Sequence, residues 1–243
     1  MSISNYDSEH GSVRGWEYKE RGDYHKNLDP NWSYTPTYLK KLSYVRNWIN
    51  KLDENASILD AGCGEGVLVE EFSEKGRAIE GLDLNYASEF VRQGNILAMP
   101  YENERFNAVL LLDVFEHLAY SDQPKALQEI RRVLKPDGLF LVSIPNLAHL
   151  NSRIRMLLLG GLDRTDIELN HPGERPFKEN VSLLRSNGFQ IIKIKGITLT
   201  VPWVYRQIIC RRPARYRWLH DWLETFATPS LAMLDIFVCK KNG

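Results

Sequence analysis

One stretch constrains this chain more than any other: Ile58-Leu59-Asp60-Ala61-Gly62-Cys63-Gly64-Glu65-Gly66, followed at once by a helical pattern over residues 67–74. A short buried strand that runs into a glycine-rich turn and opens a helix is the first unit of a sheet built from crossover connections. Gly62 and Gly64 let the backbone turn sharply and approach a ligand with no Cβ in the way, and Gly66 lets the helix start close to the strand. The unpaired N–H groups of that helix's first turn then face whatever the turn holds.

Downstream patterns continue the alternation. Strands are expected over 57–60, 78–84, 89–93, 106–112, 139–144, 189–194 and 233–240, and helices over 67–74, 124–134, 147–159 and 177–186. The run Phe106-Asn107-Ala108-Val109-Leu110-Leu111-Leu112 suits a central parallel strand covered on both faces. Lys135-Pro136-Asp137-Gly138 reads as a turn. Before the first strand, Leu39, Leu42, Val45, Trp48, Ile49 and Leu52 mark one face of a helix over 37–52 that packs on the domain or closes its pocket.

Two carboxylates narrow the ligand. Asp60 stands just ahead of the glycines, where it can hold a cationic amino group and where a phosphate would be repelled. Asp83, at the end of the second strand beside Leu84, can accept from both hydroxyls of a ribose. A ligand with an ammonium, a ribose and no phosphate fits this pair better than a dinucleotide, which argues against a nicotinamide-dependent oxidoreductase.

With these pieces the chain resembles the class I S-adenosylmethionine-dependent methyltransferases from about residue 58 to 150, and more loosely to 189. The matching motifs, in order, are Leu59 to Gly66, Gly81-Leu82-Asp83, Gly94-Asn95-Ile96 ahead of Met99-Pro100, Asp113-Val114-Phe115-Glu116-His117-Leu118, and Leu134 to Gly138. The resemblance implies an α/β, Rossmann-like three-layer sandwich with a mainly parallel seven-stranded sheet and a reversed last strand. It implies S-adenosylmethionine as cofactor, with Asp60, Gly62, Cys63, Gly64 and Gly66 around the methionine part, Asp83 and Leu84 at the ribose, Asn95 and Ile96 at the adenine edge, and Asp113 and Val114 flanking the methionyl side. Two positions depart from many relatives: Asn95 replaces Asp, so its amide carbonyl would accept from the adenine, and Asn107 replaces Asp, which alters a strand-start hydrogen bond only.

A sulfonium is already electrophilic, so catalysis rests on aligning the acceptor, excluding water and, for a hydroxyl, removing a proton. His117, after the fourth strand, is the first candidate base, and His149, soon after the fifth, is the second; Asn146 is placed to touch the acceptor or cap a helix, and His171 is a third imidazole. Asp113, Glu116 and His117 are also similar to the acidic-acidic-His arrangement of ubiquinone-biosynthesis O-methyltransferases, where it goes with a divalent cation. The same residues occur in relatives without one, and no metal is expected here. The stretch from Val142 to Gly161, with the unit around Asn187-Gly188-Phe189, implies an O-methyltransferase acting on a saccharide, lipid-linked or natural-product intermediate. A cofactor-binding protein without catalysis is the alternative from another class.

Composition bounds the rest. Lys plus Arg (31) equals Asp plus Glu (31), so no global field draws the chain to nucleic acid or an anionic membrane. The fourth strand also lacks the Asn/Asp-Pro-Pro-aromatic turn of base-amino methylation, and no nucleic-acid partner is expected. Cys63, Cys210 and Cys239 are scattered singly, and residues 1–16 lack a signal-peptide core, which fits the cytoplasm. The expected organisation is an irregular arm over 1–36 and the catalytic domain over 37–243, with a lid over 160–177 and an aromatic-basic insert over 198–230. That insert holds Trp203, Trp218 and Trp222 among Arg206, Arg211, Arg212, Arg215 and Arg217. It can pack on the domain with its arginines solvated, Asp221 and Glu224 diluting the charge, rest on a membrane interface or grip nucleic acid.

Overall fold

The computed structural model describes residues 28, 30, 32–162 and 171–242. Most of the arm, including Trp16, Tyr18 and Tyr24, and residues 163–170 of the expected lid lie outside the described residues. The strands are β1 Ile58–Ala61, β2 Ile79–Asp83, β3 Val91–Gln93, β4 Phe106–Leu112, β5 Leu134–Pro145, β6 Phe189–Ile197 and β7 Leu234–Lys241. They form one seven-stranded sheet in the order β3-β2-β1-β4-β5-β7-β6. Pairings from β3 to β5 are parallel, and β7 runs antiparallel between β5 and β6. The last strand is thus the reversed one. The chain winds outward from β1 to β3 and then crosses back to β4, so the switch in direction falls between β1 and β4, and ligands of such sheets bind beyond the carboxyl ends of the strands there.

Helices cover both faces. On one side α1 (Thr35–Ile49) and α2 (Val67–Glu74) bury Leu42, Val45, Ile49, Leu68 and Phe72 against Ile58, Leu110, Leu141 and Ile236. On the other, α3 (Gln123–Val133) and α5 (Phe177–Ser186) bury Leu127, Ile130 and Leu184 against Leu59, Val109, Phe140 and Phe237. The alternating strand residues divide between these two layers because successive side chains point to opposite faces. The central strands are mainly apolar because both faces are covered; burying one large apolar side chain contributes roughly 1.5–3 kcal/mol.

Several boundaries differ from the sequence reading for local reasons. The predicted turn at Lys135-Pro136-Asp137-Gly138 lies inside β5 as a bulge: Phe106 pairs with Leu134 and Ala108 with Leu139, and Asp137 takes φ +61°. The helix expected from 147 begins at Leu150, as α4 (Leu150–Leu159), because Asn146 Oδ1 accepts from Ala148 N at 3.0 Å and holds 146–148 in a turn. β6 continues to Ile197 because Gly196 and Ile197 still pair with Asp235 and Leu234. The insert contains a π-helical turn, Val204–Ile209, and α6 (Arg217–Glu224).

Candidate active site

The glycine turn has the shape its sequence implies. Gly62 lies at φ +73°, and a Cβ there would run into Val114 Cγ2 at the end of β4, so the turn and β4 approach in a way no other residue allows. Gly64 also has positive φ, and its N–H donates to Asp83 Oδ2 at 2.9 Å. Asp83 Oδ1 accepts from Asn85 N and Tyr86 N at 2.9 and 3.1 Å. Asp83 therefore fastens the end of β2 to the first turn as well as presenting its carboxylate there. Cys63 packs its sulfur against Gly81, where a Cβ would come within 2.8 Å, and burial pushes the thiol up, so it is an inert wall.

Asp60 is 3% exposed and its Oδ1 has no hydrogen-bond partner among the described residues. Burial pushes its carboxyl up to about 7, against the Lys41 ammonium, which lowers it. A buried carboxylate oxygen left without a donor is costly. It is the observation that a cationic ligand group would satisfy.

Beyond β4 the chain turns at Asp113, whose φ is +53°, and forms a 3-10 turn over Phe115–His117. Asp113 is held by residues distant in sequence. Ser143 Oγ on β5 donates to its Oδ1 at 2.7 Å, Tyr34 OH donates to Oδ2 at 3.1 Å, and the buried ammonium of Lys41 on α1 pairs with Oδ2. Burial pushes the Asp113 carboxyl up, but the Lys41 charge and these hydrogen bonds outweigh it and hold the group below its usual range. Lys41 also lies over the rings of Tyr34 and Tyr38, at 5.8 and 5.0 Å.

Glu116 and His117 meet the segment around His171. The rings of His117 and His171 touch edge to face, with centroids 4.6 Å apart. His171 Nδ1 is 3.1 Å from Glu174 Oε1. Ligand atoms of Glu116, His117 and His171 all lie within 4.8 Å of one another. Burial and the nearby Asp113 charge push the Glu116 carboxyl well up. The segment is clamped to the 3-10 turn: Gly173 N donates to Glu116 O at 2.9 Å, and buried Gln123 donates to Gly173 O at 2.7 Å and accepts from Arg175 Nε at 2.7 Å.

Of the acidic-acidic-His trio suggested by the sequence, Asp113 pairs with Lys41 while still acting on Glu116 by its charge, and His171 joins Glu116 and His117. His149 is elsewhere: it is buried, its Nδ1 2.7 Å from Thr200 Oγ1 at the start of the insert. Asn146 is fully engaged, its amide donating to Ser230 O and Ala232 O and its Oδ1 accepting from Ala148 N and Phe177 N, so it pins the turn before α4 and caps α5. Asn95 Oδ1 accepts from Leu97 N at 2.9 Å, and Ile96 is buried in the core. Asn107 sits at the opposite end of β4, accepting from Ser57 N and Lys135 Nζ, consistent with a strand-start role. Sequence reasoning missed Tyr34, Lys41, Ser143 and Glu174.

A Rossmann-like sheet with a glycine turn, an orphaned carboxylate behind it and an acidic residue at the second strand's end is the arrangement of the methyltransferase type of this fold. A sequence profile described as a methyltransferase domain matches residues 32–194, and the chain belongs to that family. Over 150 residues it is 31% identical to a protein of Mycolicibacterium smegmatis described as a probable S-adenosylmethionine-dependent methyltransferase, covering 58% of this chain and 54% of that one. It is 28% identical over 144 residues to the ubiquinone biosynthesis O-methyltransferase of Haemophilus ducreyi, covering 50% and 60%. The chain thus spans a little over half the length of these relatives. A crystal structure of an S-adenosylmethionine-dependent methyltransferase from Archaeoglobus fulgidus superposes with a TM-score of 0.56 at 18% identity, covering 93% of this chain and 98% of that one, which shows the shared fold.

Proposed function

We propose that the protein transfers a methyl group from S-adenosylmethionine to a hydroxyl of a small-molecule acceptor. The observation that carries the reading is the group of Glu116, His117, His171 and Glu174 beyond the carboxyl end of β4, the end at which Val114 packs against Gly62. Asp60 would receive the cofactor's ammonium, Gly62 and Gly64 its close approach, Asp83 and Leu84 the ribose, and Asn95 with Ile96 the adenine. Asp113 and Val114 flank the methionyl side. The cofactor supplies a methyl group activated by a sulfonium. The protein's own work is to hold the acceptor in line, exclude water and take its proton, and an imidazole backed by a carboxylate, as His171 is by Glu174, suits that task. The 28% identical ubiquinone biosynthesis O-methyltransferase supports oxygen as the atom methylated. Three free cysteines fit a reducing cytoplasm.

The test has two parts. Isothermal titration with S-adenosylmethionine and S-adenosylhomocysteine should show binding, and S-adenosylhomocysteine release should depend on a hydroxylated acceptor. His171→Ala and Glu174→Gln should each lower kcat, by about 100-fold for the imidazole, and leave cofactor affinity unchanged. Binding without acceptor-dependent turnover across saccharide, phenol and lipid-linked hydroxyls would favour a non-catalytic binding protein.

The 4.8 Å cluster supports a second reading, in which a divalent cation on Glu116, His117 and His171 lowers the acceptor hydroxyl's pKa. Activity lost on chelation and restored by one metal would select it over a metal-free base.

A further inference from the structure

We propose that the protein docks on an anionic lipid surface through the rim formed by the 198–230 insert and the last turn of α4. The inference rests on exposed side chains and does not require the methyl-transfer reading.

α4 buries only Ser152, and its last turn stands in solvent: Leu157 is 84%, Leu158 72% and Leu159 76% exposed, with Met156 beside them. In the insert, α6 turns His220 and Leu223 inward and leaves Trp218, Trp222 and the following Phe226, spaced four residues apart, as an outward aromatic ridge. Trp222 and Phe226 touch edge to face at 5.3 Å. Trp203 is 69% exposed although its backbone sits at φ +64°, a costly conformation for a bulky residue. Exposed apolar side chains of this size mark an interaction surface.

The two pieces belong to one rim. The first turn of α4 is tied to both ends of the insert by His149 to Thr200, by Leu150 N to Leu231 O at 3.0 Å and by Arg153 Nη2 to Ser230 O at 2.6 Å. α4 follows the carboxyl end of β5, and the insert joins the carboxyl end of β6 to the start of β7, which pairs with Pro145. The rim therefore stands on the same edge of the sheet as the candidate active site.

Charge selects the partner. Arg206, Arg211, Arg212, Arg215 and Arg217 are all exposed. The two acids of the insert do not offset them: Glu224 is buried, accepting from Thr198 N at 2.6 Å and pairing with Lys195, and Asp221 pairs with Lys40 at 3.0 Å, leaving only a 4.0 Å approach to Arg217. A chain of zero net charge thus carries a locally cationic, aromatic face, the combination that favours an anionic membrane interface. A nucleic acid would use the arginines and indoles and leave the three leucines wet. A twofold dimer through this face would set the arginines against their own copies.

Sedimentation with vesicles tests this directly. Wild type should bind phosphatidylcholine vesicles containing phosphatidylglycerol about tenfold or more better than pure phosphatidylcholine, and raised salt should erase the difference. R211E/R212E and L157D/L158D should each reduce binding about tenfold while titration with S-adenosylmethionine, or a cooperative thermal transition, shows the fold intact. The proposal is overturned by equal or absent binding to both vesicle types, or by variants that bind like wild type. It is likewise overturned if L157D/L158D only converts a dimer to a monomer in sedimentation velocity, or if a single-stranded oligonucleotide displaces the vesicles.

Discussion

The two halves of the site's edge are built differently. The half beyond β1 and β2 uses residues close in sequence, Asp60 to Gly66, Asp83 and Asn95, and its contacts are between backbone and neighbouring side chains. The half beyond β4 is assembled from distant segments: Tyr34, Lys41, Asp113, Ser143, His171 and Glu174 meet there through α1, β5 and the strand-linking loops. The first half depends on backbone shape and tolerates no added atoms. The second depends on charges that compensate one another. That difference predicts opposite responses to substitution.

The largest effect should come from adding atoms to the backbone-shaped half. Gly62→Val forces a β-branched residue to φ +73° and drives its Cβ into Val114. Cofactor affinity measured by titration should fall about 1000-fold or more, some 4 kcal/mol, with the sheet still folded by circular dichroism. Near-normal affinity would show that the turn is plastic and remove the contrast with the charged half.

In the charged half, deletion should be repairable. Lys41→Met leaves Asp113, and the more deeply buried Asp60, without their shared cation, and should destabilise by roughly 3 kcal/mol in urea unfolding, the lower end for breaking a buried pair. K41M/D113N removes the orphaned charge and should recover a large part of that loss. If the double variant is as unstable as the sum of its parts, Lys41 acts by packing against Tyr34 and Tyr38 and not by charge.

Legibility followed the same division. The strands, helices and glycine turn were readable because they rest on local periodicity and on residue types with one structural use, and the reversed last strand came with the family resemblance that their motifs carry. The acceptor side was only half visible. His117 and His171 stood out as imidazoles, but nothing in the spacing between residues 117 and 171 announces that their rings meet, and His149 reads equally well as a candidate yet is joined to Thr200. Lys41 was invisible because a lysine inside a helix normally faces water; burial here follows from Asp113 across the fold. The insert's acids misled for the mirror reason. Asp221 and Glu224 balance the arginines in the sequence, whereas in space they turn toward Lys40 and Lys195.

Asp235 extends the contrast to a buried carboxyl without a charged partner, against whose burial only the backbone at Ser230 acts. It lies on β7, fully buried, and neither carboxylate oxygen has a hydrogen-bond partner among the described residues. Burial pushes its carboxyl up to about 8 from 3.8. The folded protein thus keeps a proton that the unfolded chain releases, so stability falls as pH rises from about 4 to about 8 and levels off above. Asp235→Asn should abolish that decline, leaving stability near pH 4 little changed and raising it at pH 8 by on the order of 2 kcal/mol, with water entry taking up the rest of the shift. Thermal unfolding at the two pH values measures it. A variant that gains nothing at pH 8 would mean that the carboxylate finds a donor in the folded state, and that Asp235 belongs with Asp113 as a compensated charge.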